Sequence, residues 1–161
     1  MAPSIAGTAA PGNVGRNFPA ITSDVTARTL SIVRERFPEA DVAGRPSTAR
    51  PALAGYASAA GQAVTTGEVN AAVDAATRGA THLLVPTITE WTEMRTDDPI
   101  GALIGRHESV TIALRLMRLE PPALVSQVTF HNRARVTLNR KASRLLDERF
   151  RREILQLLPV R

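Results

Sequence analysis

Between Glu108 and Phe130 the chain contains two apolar runs around a turn, and this pair restricts the possible folds more than any other feature. Val110, Ile112, Leu114 and Leu116 share one parity, while Ser109, Thr111, Ala113 and Arg115 share the other. Successive side chains of a strand point to opposite faces, so this period of two describes a strand with one apolar and one more polar side. Glu120-Pro121-Pro122 turns the chain, and Leu124, Val125, Val128 and Phe130 return antiparallel.

The segment before this hairpin adds a helix and a second kind of strand. Thr65 and Glu68 have capping-box spacing, Val69, Ala72, Val73 and Ala76 recur at helical spacing, and Gly79 fits the position just past a helix end. His82-Leu83-Leu84-Val85-Pro86-Thr87-Ile88 follows, apolar on both sides, as in a strand covered by helices on both faces. Helix, glycine and buried strand read as the second half of a βαβ unit, completed by the short strand candidate Ala40 to Ala43.

The remaining elements are placed by caps and breakers. Ser23 or Asp24 starts a helix that runs to Phe37 and stops at Pro38, with Val25, Leu30, Val33 and Phe37 as its apolar stripe. Residues 46 to 64 are Ala-rich but interrupted by Pro51, Gly55 and Gly61, and residues 92 to 107 read as a long polar connection. Leu145, Leu146, Phe150, Ile154, Leu157 and Leu158 mark a last helix from Lys141 to Leu158. The expected fold class is α/β (α+β), a single mixed sheet of four to five strands with helices 23–37, 67–78 and 141–158 packed on it. Residues 1–22, rich in Pro, Gly, Ala and Thr, are expected to form a flexible tether, with Ser4 to Ala9 a candidate edge strand. Residues 23–161 then form one domain.

Composition narrows the chemistry. The chain of 161 residues has no cysteine, which excludes thiol nucleophiles, disulfides and cysteine-held metal centres. Aromatics make up 4%, so the core is aliphatic. No run of 18 apolar residues exists to span a membrane as a helix. No phosphate loop, nucleophile elbow, dinucleotide fingerprint or zinc-protease helix is present, and no cofactor is implied. His82, His107 and His131 lack metal-ligand spacing, so no metal site is expected. These absences favour a protein that is not an enzyme.

Two clusters are candidate binding residues. Glu90, Glu93, Asp97 and Asp98 crowd the connection after the buried strand, where open α/β sheets place ligands. Trp91, the only tryptophan, enters the same connection either as a binding aromatic or as an anchor that pins it to the sheet. The second cluster is basic. From His131 to Arg161 nine basic residues stand against three acidic ones, a surplus larger than the +5 of the whole chain. Arg133, Arg135, Arg140 and Arg144 are its candidate contacts for an acidic partner, anionic polymer or nucleic acid. Arg144 with Glu148 and Arg149 with Glu153 have the spacing to pair locally on the last helix instead.

From Thr81 to Thr96 the wording, with Pro86-Thr87-Ile88 followed by Trp91 and then Glu93, resembles the centre of a family of small uncharacterised Gram-negative envelope lipoproteins. The paired strands from Glu108 to Phe130 are similar in kind to those of that family, and the likeness spans Thr22 to Phe130. The chain departs from the family in lacking a lipid-accepting cysteine and in the strongly basic residues 131 to 161. The overall pattern also looks like the sheet-and-helix domains of lipoprotein activators of cell-wall synthases and the amino-terminal domain of the Tol periplasmic protein, an analogy of fold only. The resemblance implies a non-enzymatic periplasmic binding or adaptor module, anchored to the outer membrane by a lipidated cysteine upstream of Met1. Its partner would be another envelope protein or an anionic envelope polymer. The alternatives are a cytoplasmic protein that binds nucleic acid or anions through the basic segment, should Met1 be the native start, and a hydrolase or metal enzyme with its site at residues 90–98.

Overall fold

The computed structural model describes residues 2–10, 18–44, 55–92, 100, 107–135 and 142–160. Glu93, Asp97, Asp98, Arg140 and most of the 92–107 connection lie outside the described residues. In chain order the elements are β1 (Ser4–Ala6), α1 (Phe18–Arg36), β2 (Val42–Ala43), α2 (Tyr56–Ala60), α3 (Thr66–Thr77), β3 (His82–Thr92), β4 (His107–Leu119) and β5 (Pro122–Arg135). A 3-10 turn (Ala142–Leu145) and α4 (Glu148–Leu157) follow. The strands form one mixed sheet in the order β2-β1-β3-β4-β5.

β1 is parallel to both neighbours, and β3, β4 and β5 are joined antiparallel. Ser4 to Ala6, expected in a tether or at an edge, instead form an inner strand buried throughout. The expected βαβ unit is present, with one strand inserted into it. α3 does connect β2 to β3, but β1 lies between them, so the crossover passes over one strand. From β1 the chain steps outward through α1 to β2, then reverses through α3 to β3. Crossovers between parallel strands are right-handed in nearly all proteins, so a reversal puts the two helices on opposite faces of the sheet.

The burial pattern follows that division. On one face Ile5, Leu84, Ile88, Ile112, Leu114, Leu116 and Phe130 pack against Ile21, Val25, Ile32 and Val33 of α1 and against Leu145, Phe150, Ile154 and Leu157 near the C-terminus. Phe130 and Phe150 meet edge to face with centroids 5.0 Å apart. On the other face Ala6, Leu83, Val85, Met117 and Leu119 meet Tyr56, Ala60, Ala71, Ala72 and Ala75 of α2 and α3. The first face is filled by large aliphatic side chains, whereas the second is largely alanine, which lets α3 lie close to the backbone of the sheet.

Helix boundaries differ from the sequence reading for local reasons. α1 starts at Phe18, with Pro19 in the first turn, where a missing N–H costs nothing. Ser23 and Asp24 are therefore exposed helical residues and not caps. The last helix is divided: Asp147 accepts from Arg149 N–H at 2.9 Å and caps α4, while the Asn132 amide donates to the Leu145 carbonyl at 2.9 Å and to Asp147 at 3.1 Å. Arg36 donates to the carbonyls of Leu155 (2.8 Å) and Leu158 (3.2 Å), where a guanidinium suits the negative end of α4. At the end of α3, Gly79 has φ 81°. Its N–H reaches Ala76 and that of Ala80 reaches Ala75, a Schellman closure that needs the left-handed backbone glycine allows.

The capping box is only half formed. Thr65 accepts from Glu68 N–H at 3.1 Å, but the Glu68 carboxylate turns into the core. There it receives Arg115 of β4 at 2.8 Å and the Tyr56 hydroxyl at 3.1 Å. Both Arg115 and Glu68 are buried, and among the described residues Arg115 Nε and Nη1 have no hydrogen-bond partner. Burial, then the adjacent Glu68 charge, pushes the Tyr56 phenol far above its ordinary range. Breaking a buried pair strands one charge and costs more than the pair contributes. Glu68→Ala is expected to lower unfolding free energy by about 3–5 kcal/mol, and Tyr56→Phe by about 1–2 kcal/mol. The apolar triple replacement Tyr56→Phe, Glu68→Leu, Arg115→Met is expected to recover most of that loss. Denaturant unfolding of the three proteins checks the order.

Candidate functional site: an open polar face of the sheet

The register of β3 and β4 contains one irregularity, and it decides where the candidate residues point. Ile88 pairs with Ile112, Glu90 with Thr111 and Trp91 with Val110, so Thr89 is the extra residue of a bulge. Strict alternation would have sent Glu90 into the core beside Ile88 and Trp91 outward. The bulge reverses both. Trp91 is 8% exposed within the apolar face, and Glu90 lies on the opposite, open face. β3 thus runs four residues beyond Ile88, and Glu90 and Trp91 belong to it and not to the connection.

The second face of β3, β4 and β5 divides into two halves. Near the hairpin turn, Leu83, Met117 and Leu124 lie under α2 and α3, and the buried Arg115 closes that half. Beyond Arg115 the register builds three polar rows: Thr87–Ala113–Thr129, Glu90–Thr111–His131 and Thr92–Ser109–Arg133. His107 and Arg135 form a shorter row past these. Thr92, Thr129, His131, Arg133 and Arg135 are exposed, and Thr87, Ala113 and Thr111 are half-buried. Among the described residues α2 and α3 are the helices on this face, and their apolar contacts lie with the Arg115 half.

A hydrogen-bonded network runs across the second and third of these rows. The Ser109 hydroxyl donates to Glu90 Oε1, and the Thr111 hydroxyl donates to Glu90 Oε2 at 3.2 Å. Thr111 Oγ1 also lies 2.8 Å from His131 Nδ1. The Ser109 hydrogen bond holds the Glu90 carboxyl below the usual carboxylate range, the Thr111 bond and the nearby His131 and Arg133 reinforce this, and partial desolvation opposes it. The network therefore fixes an ionised carboxylate in the middle of the face, flanked by His131 and the cationic Arg133 on β5. Among the described residues it has no enclosing walls. An array of this kind offers hydrogen bonds and charge to a docking surface.

The basic candidates separate into two kinds. Arg133 and Arg135 extend from β5 on the open face. Arg144 lies on the other side, donating to the buried Glu108 at 2.9 Å and to the Arg135 carbonyl at 2.8 Å, so it ties the 3-10 turn to the sheet. Glu148, expected opposite Arg144, pairs with Arg151 at 2.7 Å, and Arg151 also grips Glu35 of α1. His82 stands at the far end of β3, half-buried, and burial lowers its imidazole pKa. A cavity of about 320 Å³ lies near that end, lined in part by Ser4, Glu39, Asp41 and Arg78. Its charges are cross-linked: Arg78 bridges Asp41 and Asp74, and the Ser4 hydroxyl donates to Asp41. Sequence reasoning missed Ser109, Thr111, Thr129 and His131 as a surface. Their parity on the strands was readable, but their exposure depends on where α2 and α3 end.

The fold class is a mixed, helix-covered α+β sheet, and solved structures share it. The PelC dodecamer from Paraburkholderia phytofirmans has a TM-score of 0.59 at 13% identity, covering 99% of this chain and 88% of that chain. The hypothetical protein CT253 from Chlamydia trachomatis has a TM-score of 0.55 at 13% identity, covering 97% of this chain and 95% of that one. Lipoprotein GNA1162 from Neisseria meningitidis has a TM-score of 0.48 at 12% identity, with 96% and 92% covered. No family model and no curated protein matches the sequence. The likeness to PelC and CT253 is one of fold.

Because the Glu90 pKa is depressed, its contribution to stability is present above the ordinary carboxylate pKa and is lost as pH falls through the lower folded value. Ser109→Ala removes the largest cause. The Glu90 titration midpoint, followed by carboxyl NMR, is expected to rise in that variant and to sit below an ordinary glutamate in the parent.

Proposed function

We propose that this chain is a non-enzymatic binding or adaptor module of the bacterial cell envelope that meets another envelope protein through the open half of its sheet. The observation that carries this reading is the division of one sheet face at Arg115. One half is covered by α2 and α3, and the other presents Thr87, Glu90, Thr111, Thr129, His131 and Arg133 in register. Hydroxyls, an ionised carboxylate and arginines on a flat, rigid platform suit a protein–protein contact, where arginine and charge complementarity set specificity. The Pro-Thr-Ile…Trp91 wording supports the envelope assignment. Periplasmic location and outer-membrane anchoring through an upstream lipidated cysteine belong to the same reading.

Exposed positions on opposite sides test it in the producing cell. A photo-crosslinking residue at Thr129 is expected to give a discrete adduct with a protein of the envelope fraction, and the same residue at Ser31 on the outer side of α1 is expected to give none. Recovery of the protein in the cytosolic fraction would sink the envelope assignment. Equal adducts from both positions, or adducts only with polymer, would sink the assigned face or its partner class.

A further inference from the structure

Building on that reading, we infer that the partner adds an extended acidic segment to the outer edge of β5, so that recognition occurs by strand pairing as well as by side chains. β5 is 14 residues long and stands at the end of the sheet, with β4 as its only strand partner among the described residues. Its first part is unsuited to further pairing. Pro122 lacks an N–H, and the register shift at Leu116/Met117 places Val125 in a bulge. From Ser126 to Arg135 the register is regular.

Two hydrogen bonds show which backbone groups of this stretch face away from β4. The Arg133 N–H goes to Asn132 Oδ1 at 2.9 Å, and the Arg135 carbonyl accepts from Arg144 at 2.8 Å. Along an antiparallel strand, alternate residues turn both backbone groups to the same side. Gln127, Thr129 and His131 therefore also direct N–H and C=O outward, and no described residue pairs with these groups. At the Arg133–Arg135 end, side chains already cap the edge. Over Gln127 to His131 it is open.

The side chains of these same residues specify the occupant. Gln127, Thr129, His131, Arg133 and Arg135 are all exposed and all lie on the open face. A strand paired over Gln127 to His131 would set its own alternate side chains beside Gln127, Thr129 and His131, about 4.5–5.5 Å away between Cβ atoms. Its continuation would run toward the arginines. Arg133 and Arg135 form a cationic pair beside His131, and among the described residues neither arginine has a carboxylate partner within ion-pair distance. Glu90 is two strands further in, on β3, where its carboxylate oxygens accept from Ser109 and Thr111. The pair thus matches carboxylates spaced two apart on an extended peptide. A lysine-bearing strand would place like charges opposite one another, at a cost of similar size to the gain from an opposite pair. Main-chain bonds would supply affinity and the arginines the choice of sequence.

Thr129→Pro separates strand addition from a simple charge patch. The Thr129 N–H faces outward, so proline there removes an edge donor without removing a bond to β4, a situation in which sheets accept it. The full chain is titrated with a synthetic strand peptide carrying glutamate at alternate positions and with its lysine counterpart. The acidic peptide is expected to bind with slowed hydrogen exchange at the amides of Gln127, Thr129 and His131, and the lysine peptide is not. Thr129→Pro and, separately, Arg133→Glu with Arg135→Glu are each expected to weaken binding by about tenfold or more. Far-UV circular dichroism and the melting temperature establish that each variant is folded, and the charge-reversed variant still tests the idea should the proline variant unfold. Equal binding of both peptides, no binding of either, or acidic binding unaffected in folded Thr129→Pro would overturn the inference. A doubled mass that returns to monomer in Thr129→Pro would name a second copy as the occupant and overturn it too. Adducts at Thr129 in cells without peptide binding would remove only strand addition. Peptide binding by a protein found in the cytosol would remove the envelope reading instead.

Discussion

Strand β4 has two different surroundings on its two sides, and the remaining elements are arranged to satisfy both. One parity, Val110, Ile112, Leu114 and Leu116, is fully buried against α1, the 3-10 turn and α4. The other carries the buried Leu119, Met117 and Arg115, then the half-buried Ala113 and Thr111, the buried Ser109 and the exposed His107. A slip of one residue would exchange these sets and place Arg115 among leucines, at a cost no local adjustment could offset. The long pairings of β4 with both β3 and β5 are therefore fixed by core chemistry. The polar rows on the second face inherit their alignment from that constraint.

Arg115 marks where the second face changes character. Its guanidinium needs a carboxylate, and the nearest source is the first turn of α3, where Thr65 already holds Glu68 in a defined helical position. Arg115, Glu68 and Tyr56 thus form the polar limit of an otherwise alanine-lined layer. Past that limit the sheet carries hydroxyls, an imidazole and a carboxylate bound to each other. The residues that stabilise the cover and those that form the exposed platform are neighbours on the same strand.

Much of this was legible in the residues. The alternation of β4, the antiparallel return of β5, the capped α3 with Gly79 at its end and the buried start of β3 each follow from spacing and steric preference. Three features were not. Ser4 to Ala6 is too short to show a period, and its place between β2 and β3 depends on distant partners. The bulge at Thr89 leaves no compositional trace, yet it exchanges the faces of Glu90 and Trp91. Tertiary hydrogen bonds from Asn132 and the cap at Asp147 divide a C-terminal stretch whose apolar spacing reads as one helix. Of the candidate residues, Glu90, Arg133 and Arg135 meet on one face because strand parity carries them there. The placement of Trp91 and Arg144 was set by the bulge and by Glu108.

The basic excess of the C-terminal segment has a different meaning once its partners are known. Arg151 binds Glu35 and Glu148, Arg144 binds the buried Glu108, and both interactions hold helical elements against the sheet or against α1. Their charges are compensated locally and project little field. A surface ion pair contributes modest stability, whereas Arg144 with Glu108 removes a buried charge that would otherwise be costly. Arg133 and Arg135 differ in kind: they stand on an edge strand, where charged side chains commonly discourage unwanted pairing with other strands. The same two residues that would repel an unselected or basic strand would attract an acidic one, so protection of the edge and recognition of a partner need only one feature, a cationic row at the open end of β5.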